Sequence, residues 1–435
     1  MFKKLVAPVY VQWEVTPECN YNCIHCYNHW RDGNRMGRLV TEKTREYYLA
    51  SVTEIIRNGV FAVTVTGGEP LLVFKEVLPF IVMLREAGIE VHLNSNLSLL
   101  TDEIAITLKE LEIKSILTSF PSGIQKTSDQ ITQRRNTRDK TARGIKCALN
   151  AGLRVTTNMV ISKFNLTEVF ETARFAKELG ITSFSATKAA VPGNCQDFSP
   201  YRLSVVEFRS MLSELARVRR ELGLRVDSLE FYPGCSFDND ETRSLFGSTR
   251  SCTAAKTSCT IGFDGQIRPC SHAPQTYGSI FDGLQKAWDS MEEWRQDVWI
   301  PDECQPCSLK KRCGGGCKIE AMLVNGAINK PDPYCDFSTI PLKPLTRTKP
   351  KNLFNPLSEF RFNSEIKFRK EEFGGLLCVS FRKWVPVVPE LFGFAKERKG
   401  DNVSIKEFVN ILKLSEDEAI QIVNYLMIKK IVFQG

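Results

Sequence analysis

The chain reads first as a repeated exchange between two periodicities. Short runs rich in β-branched and aromatic residues stand at Tyr10–Val15, Phe61–Thr66, Ile89–Asn94, Lys114–Thr118, Leu153–Val160 and Ile181–Ala186, with helical patterns between them. Parallel neighbours need a crossover of a dozen or more residues, usually a helix. The clearest helical stretch is Leu166–Leu179, which sets Leu166, Val169, Phe170, Ala173, Ala176 and Leu179 on one face. Asn165 is placed as its N-cap, Glu168 follows three residues later, and Gly180 supplies the stop. Six such units predict an α/β fold, a partial (β/α)6 barrel with a parallel sheet not closed to eight strands. In such sheets chemistry belongs at the C-terminal ends of the strands.

From about residue 231 the pattern changes. Gly, Pro and Cys rise and periodicity fades, so that order there is expected from metal ligation. One hairpin is legible, Thr260–Phe263 and Gln266–Cys270 around the turn Asp264-Gly265. Pro341–Asn355 reads as a linker. Beyond it, strand-like pieces at Glu365–Arg369 and Gly375–Phe381 precede two or three helices, the last opening on the capping box Ser415–Glu418. Three domains are expected, over residues 1–230, 231–345 and 346–435, the last a small α+β unit.

Composition sharpens this. Fifteen cysteines in 435 residues do not suit a disulfide framework, which belongs to small secreted domains. Eleven fall into two groups with ligand-like spacing. The other four (Cys147, Cys195, Cys235, Cys378) are read as packing residues, since a free cysteine behaves as a small buried hydrophobe. The basic, apolar opening is broken by Pro8, Gln12 and Glu14, and no stretch approaches a membrane span. A cytoplasmic protein with no membrane partner is therefore expected. The net charge is +8, and from Pro341 onward 17 Lys and Arg face 11 Asp and Glu. That excess suits an acidic partner for the tail, or a solvated basic surface.

The candidate chemistry begins directly after the first strand. Cys19, Cys23 and Cys26 place three soft ligands within eight residues. Three thiolates can hold three irons of a cubane and leave the fourth iron open to a chelating ligand. The alternative, a structural zinc site, needs four closed ligands, and His25 lies between two of the cysteines, poorly placed to complete a tetrahedron. With Thr66-Gly67-Gly68-Glu69-Pro70 at the end of the second strand, Cys19–Tyr27 resembles the radical S-adenosylmethionine (SAM) superfamily. The resemblance implies a [4Fe–4S] cluster whose open iron chelates the methionine amine and carboxylate. Gly67, Gly68, Glu69 and Pro70 would hold the amine. His25 would face adenine beside Tyr27, and Asn94 and Asn96 would bind ribose, although asparagine is also a turn former. The implied reaction is reductive cleavage of SAM to methionine and a 5′-deoxyadenosyl radical, which abstracts a substrate hydrogen. Electrons would come from a donor such as flavodoxin or ferredoxin.

The second group runs Cys252-x12-Gly265-x4-Cys270, then Cys304-x2-Cys307-x5-Cys313-x3-Cys317, then Cys335, with Cys259 as an eighth thiol. This resembles the SPASM domain, and two zinc ribbons are the alternative. The resemblance implies two auxiliary [4Fe–4S] clusters, three in all. Cys252, Cys259, Cys270 and Cys317 would hold the nearer one, and Cys304, Cys307, Cys313 and Cys335 the outer one. In sulfatase-maturing relatives an aspartate base follows the hairpin cysteine. Here Ser271 and His272 stand there, which speaks against that activity and leaves His272 as a candidate base.

The stretch Phe368–Leu377 and the helices after it resemble PqqD-like, winged-helix-like peptide-recognition domains. These bind the leader of a ribosomal precursor peptide as an added strand, and Lys367, Arg369 and Lys370 would suit an acidic leader. A nucleic-acid module is disfavoured, because no recognition-helix pattern accompanies the basic residues. The expected function is an oxidative cross-linking maturase (C–C or thioether) of a ribosomal peptide. Alternatives are maturation of a folded protein, of haem or of a quinone cofactor, and a non-catalytic metal-binding adaptor.

Overall fold

The computed structural model describes residues 4–28, 42–191, 198–247, 251–296, 298–338, 353–355 and 358–435. Its centre is one sheet in the order β7-β6-β5-β4-β3-β2-β1-β8-β9. The strands are β1 (Tyr10–Thr16), β2 (Ala62–Gly67), β3 (Glu90–Ser95), β4 (Ile116–Ser119), β5 (Val155–Ile161), β6 (Ser183–Lys188), β7 (Arg225–Asp227), β8 (Ser258–Ile261) and β9 (Ile267–Arg268). From β1 to β7 every neighbour is parallel and next in sequence. The crossovers carry α1 (Glu42–Arg57), α2 (Phe74–Glu86), α3 (Asp102–Glu110), α4 (Gln125–Thr132), α5 (Thr137–Asn150), α6 (Val169–Glu178) and α7 (Val205–Leu222). All six expected strands form, with ends displaced by one or a few residues. Val11, Trp13, Val63, Val65, Ile116 and Phe184 fill the interior that the helices cover.

Two expectations are corrected. The helix foreseen over Leu166–Leu179 opens as a 3-10 turn at Leu166–Glu168 before α6, and Asn165 does not cap it. Its amide instead accepts the Ser162 N–H at 2.9 Å and donates to the carbonyls of Pro121 and Val160 at 2.8 and 2.9 Å. Buried carbonyls need donors, and that tertiary demand outweighs the local cap. Gly180, at φ +97°, ends the helix as expected.

The cysteine-rich segment, second, is not ordered by ligation alone. Its hairpin forms around Gly265 (φ +77°), and β8 pairs in parallel with β1 from Tyr10↔Ser258 to Trp13↔Ile261. An otherwise unpaired edge of the barrel sheet is thereby covered. Arg268 on β9 clamps the join, 2.5 Å from the Glu14 carboxylate, with both side chains about 2% exposed or less.

The C-terminal region has its own core, including Phe360, Phe362, Leu377, Phe394, Phe408 and Val423. One sheet joins β11 (Lys367–Glu371), β12 (Gly374–Ser380) and β13 (Lys383–Val387). A second orders β14 (Asn402–Val403), β10 (Phe360–Phe362) and β15 (Val432–Gln434). Helices follow at Pro389–Glu397, Ile405–Leu412 and Glu416–Ile428, the last with the foreseen Ser415/Glu418 capping box. β12 alternates between two interiors: Leu376 and Cys378 join the barrel core and Leu377 the local one.

This region sits under the N-terminal ends of β1–β3. Arg369 donates to the carbonyls of Pro8 (2.7 Å), Ala7 (2.8 Å) and Gly59 (3.3 Å), which precede β1 and β2. Its Nε meets Glu371 at 2.8 Å, and Lys367 bonds the Gly88 carbonyl before β3. Phe381 stacks on Tyr10, and its N–H reaches Glu90 at 3.1 Å. Lys367 and Arg369 therefore act in docking and are not available to a leader, a correction to their expected role. Lys370 alone of the three is exposed.

No disulfide joins the described cysteines, and no described helix is long and apolar enough to cross a membrane. Cys195 and all but the last three residues of the linker Pro341–Asn355 lie outside the described residues.

Candidate active site

The turns after β1, β2 and β3 meet at the end of the sheet opposite the C-terminal region. Gly68 N–H donates to the Thr16 carbonyl and Glu69 N–H to the Glu18 carbonyl, each at 2.7 Å. A Cβ on Gly68 would lie 1.9 Å from the Glu18 oxygen, and Gly67 adopts φ +124°. The two glycines thus let the backbone leading into Cys19 pass directly against the second turn. Asn28, just past the third cysteine, donates to the Gly67 carbonyl at 3.1 Å.

Glu69 is buried and already engaged. One oxygen accepts Leu71 N–H (3.0 Å) and the Ser95 hydroxyl (2.7 Å), the other Asn96 N–H (2.7 Å). Burial raises its carboxyl, and these bonds work the other way. Of roughly four acceptor positions on a carboxylate, one is left for a ligand amine. Asn96 is also occupied, donating to Asn20 at 2.8 Å and accepting Ser98 N–H at 2.9 Å. These bonds hold the turn after β3. Asn94, half-buried on β3, makes no side-chain hydrogen bond to a described residue and keeps its amide for a ribose.

The loop holding Cys19, Cys23 and Cys26 is pinned to α4 by Asn22 N–H to Thr132 and Ile24 N–H to Ile131, each at 3.0 Å. All three cysteines are half-buried, and Cys19 Sγ accepts the Tyr21 N–H at 3.4 Å. Among the described residues no three His, Cys, Asp or Glu side chains converge on one point as ligands of a single ion would. A cubane asks otherwise, since each thiolate binds its own iron. A partly open triad of thiols with a backbone donor on sulfur fits such a cluster.

His25 is buried beside this loop. Tyr27 reaches across to the second cysteine region, its ring 4.5 Å from that of His272. Burial pushes the His272 imidazole down to about 4, with Lys188 and Arg268 adding to the effect and Glu320 opposing it. The ring is therefore neutral at pH 7, the form in which an imidazole accepts a proton.

Within that region Ala273 N–H donates to the Cys270 carbonyl at 3.2 Å, and Cys270 lies within electrostatic reach of Cys252. Cys317 precedes the helix Lys318–Asn325, and its N–H meets Asp332 at 2.8 Å. Cys259 stands apart. It lies on β8 inside the barrel core, where burial pushes its thiol up to about 12 and the nearby charge is Arg295. Cys304 lies within electrostatic reach of Cys313, Cys235 and Cys307, and Cys335 of Cys235 and Cys313.

Sequence reasoning also missed a buried charge group at the end of β6. Lys188, 2% exposed, lies 3.3 Å from Glu230 and 3.4 Å from Glu320, over the Tyr334 ring. The ammonium is held well above its ordinary range by the carboxylates despite burial, the larger opposing influence, while burial raises Glu230. The only signal in the sequence was the lysine that ends the strand Ser183–Lys188.

A parallel open barrel with a three-cysteine loop locked against a Gly-Gly-Glu-Pro turn defines a class, and residues 13–176 match the family model of the Radical SAM superfamily. The chain is an enzyme with a radical SAM domain, the kind that binds SAM and a [4Fe–4S] cluster. It is similar to the AdoMet-dependent heme synthase of Methanosarcina barkeri, 26% identical over 346 residues (76% of this chain, 96% of that protein). It is similar to the PqqA peptide cyclase of Gluconobacter oxydans at 23% identity (76% and 91%). In fold it resembles Streptococcus suis SuiB bound to its precursor peptide SuiA, with TM-score 0.62, 19% identity and 77% of each chain covered.

Proposed function

We propose that this enzyme oxidatively cross-links a ribosomally synthesised peptide, forming a C–C or thioether bond. The observation that carries the reading is the C-terminal unit with its own core and an open sheet edge at β13. The sheet lays one face, with Arg369, Leu376, Cys378 and Trp384, on the barrel, and β13 is an outer strand at which a leader strand would add. Peptide substrates of the PqqA cyclase and SuiB kind support this reading.

Cys19, Cys23 and Cys26 would hold the first cluster. Asn94 and the remaining acceptor of Glu69 would orient SAM, with His25 and Tyr27 beside it. The cofactor pair supplies the hydrogen-abstracting radical. Auxiliary clusters on the second cysteine region would take the electron that an oxidised product must lose, and an external flavodoxin or ferredoxin would supply the first. The contact between the Tyr27 and His272 rings joins the two cysteine regions.

Removing residues 346–435 would uncover the base of the barrel, so the test uses the intact chain. Hydrogen exchange is measured with and without candidate precursor peptides. Protection confined to Lys383–Val387 is expected, and unchanged exchange there with every peptide that becomes modified refutes leader addition. The haem synthase relative, matched over 96% of its length, favours a second reading, a small-molecule substrate. Turnover of an iron porphyrin with no peptide modified would select it.

A further inference from the structure

We propose that the outer edge of β13 recognises an acidic peptide strand, with a carboxylate side chain between Lys383 and Lys430 and backbone pairing interrupted at Pro386. This rests on leader addition at β13 and names the chemistry of the leader that the edge accepts.

The ladders behind β13 define what its edge offers. β11 and β12 are joined by the two-residue turn Glu372-Phe373, closed by the pair Glu371↔Gly374. Residues flanking such a turn exchange both backbone bonds, and bonded and unbonded pairs then alternate along the strands. Gly374, Leu376 and Cys378 therefore spend their N–H and C=O groups on β11, and Gly375 and Leu377 spend theirs on β13. The β13 partners are Val387 and Val385. By the same alternation Trp384, Pro386 and the extended Val388 point their groups outward, the side on which a strand tolerates proline.

That edge is incomplete as a template. Pro386 has no N–H, and the Val388 carbonyl already accepts the Phe392 N–H at 2.9 Å. Both groups of Trp384, the Pro386 carbonyl and the Val388 N–H remain. An incoming strand meets one place where its own carbonyl finds no donor. A proline there blunts the edge against indiscriminate pairing, so selection falls to side chains.

The side chains at the start of β13 are cationic. Lys383 opens the strand, and Lys430 follows the helix Glu416–Ile428. The Lys430 carbonyl accepts the Asn363 amide at 3.1 Å, and Asn363 stands just before β11. Lys367 at the start of β11 pairs with Cys378, and Ser380 on the same strand as Cys378 pairs with Lys383. The sheet thus brings Lys430 to the end where β13 begins, and burial and the nearby Lys430 ammonium hold Lys383 below its ordinary range. Neighbouring carboxylates are engaged elsewhere, Glu371 with Arg369 at 2.8 Å and Glu90 with His92 at 3.5 Å. Among the described residues none lies within ion-pair distance of Lys383 or Lys430. Two like charges side by side without a counter-charge attract a carboxylate.

The test selects random dodecapeptides displayed on phage against the intact chain. Selected peptides are synthesised, binding is measured by fluorescence anisotropy, and exchange of the Trp384 amide is followed in the complex. Peptides with Asp or Glu are expected to dominate and to protect Trp384. Lys383→Gln/Lys430→Gln should weaken them by about tenfold. Gln or Asn in place of the peptide's acidic residue should cost the same, and the two losses should not add. Pro386→Ala, which supplies the missing donor, should tighten binding by about fivefold and admit neutral peptides. Binders that protect Trp384 without an acidic preference overturn this inference while leader addition at β13 stands. Binders that leave the Trp384 amide exchanging freely overturn both. Tighter binding of an oligothymidine than of any selected peptide, lost in the double variant, assigns the lysines to phosphate and overturns the proposal.

Discussion

Arg369→Ala probes how the C-terminal region is fixed to the barrel. The side chain is 7% exposed and that of its partner Glu371 is fully buried. The substitution leaves a buried carboxylate without its cation and removes the donor from three carbonyls. Breaking a buried pair from one side costs about 3–5 kcal/mol. The chain has more than one core, so a single unfolding midpoint is not a clean readout. Local opening by hydrogen exchange at residues 5–9 and 367–371 reports the loss directly. At 1.36 kcal/mol per tenfold, protection there should fall by about two orders of magnitude or more. Arg369→Ala/Glu371→Met should recover a good part of it, because the stranded charge is gone. Cleavage of SAM should persist, since the docking lies at the opposite end of the sheet. A fall in protection of less than about threefold, or no recovery in the double variant, would refute the role given to this pair.

Gly68→Ala puts a methyl 1.9 Å from the Glu18 oxygen; loss of the first cluster's iron and of SAM binding is expected, measured by iron assay and equilibrium dialysis. His92 is pushed down to about 4 by burial and by Arg382, Arg154 and Lys114, which together outweigh the Glu90 carboxylate 3.5 Å away. Its folded pKa lies below the unfolded one, so stability is complete above about pH 6.5 and falls as pH drops toward 4, by at most about 3 kcal/mol. His92→Gln should show a smaller drop in melting temperature between pH 7 and pH 5 than the parent. A leader on β13 lies at the base, while the cysteine loop lies beyond the seven residues of β1. The modified residue should therefore be at least about seven extended residues from the leader. Peptides with shorter spacers should bind yet stay unmodified by mass.

The parallel barrel was legible because each strand–helix unit writes its own periodicity. The hairpin β8–β9 was legible as a hairpin but not as a partner of β1, since register between distant segments has no local signature. The Cys19–Cys26 loop and its Gly-Gly-Glu-Pro turn were legible from spacing. That Glu69 and Asn96 are spent on holding those turns together was not, because the sequence names donors and acceptors without saying which are already paired. The same limit misassigned Lys367 and Arg369, whose charge suggested a peptide and whose bonds go to the barrel. Lys188, Glu230 and Glu320 come from three regions, so only the fold brings them together.

The most direct test is intact-mass spectrometry of short peptides encoded beside this gene, each expressed anaerobically with the enzyme and with Cys23→Ala. Loss of two hydrogens from one peptide, abolished by Cys23→Ala, is the expected result. No mass change in any peptide, together with turnover of an iron porphyrin by the same protein, would contradict a peptide maturase.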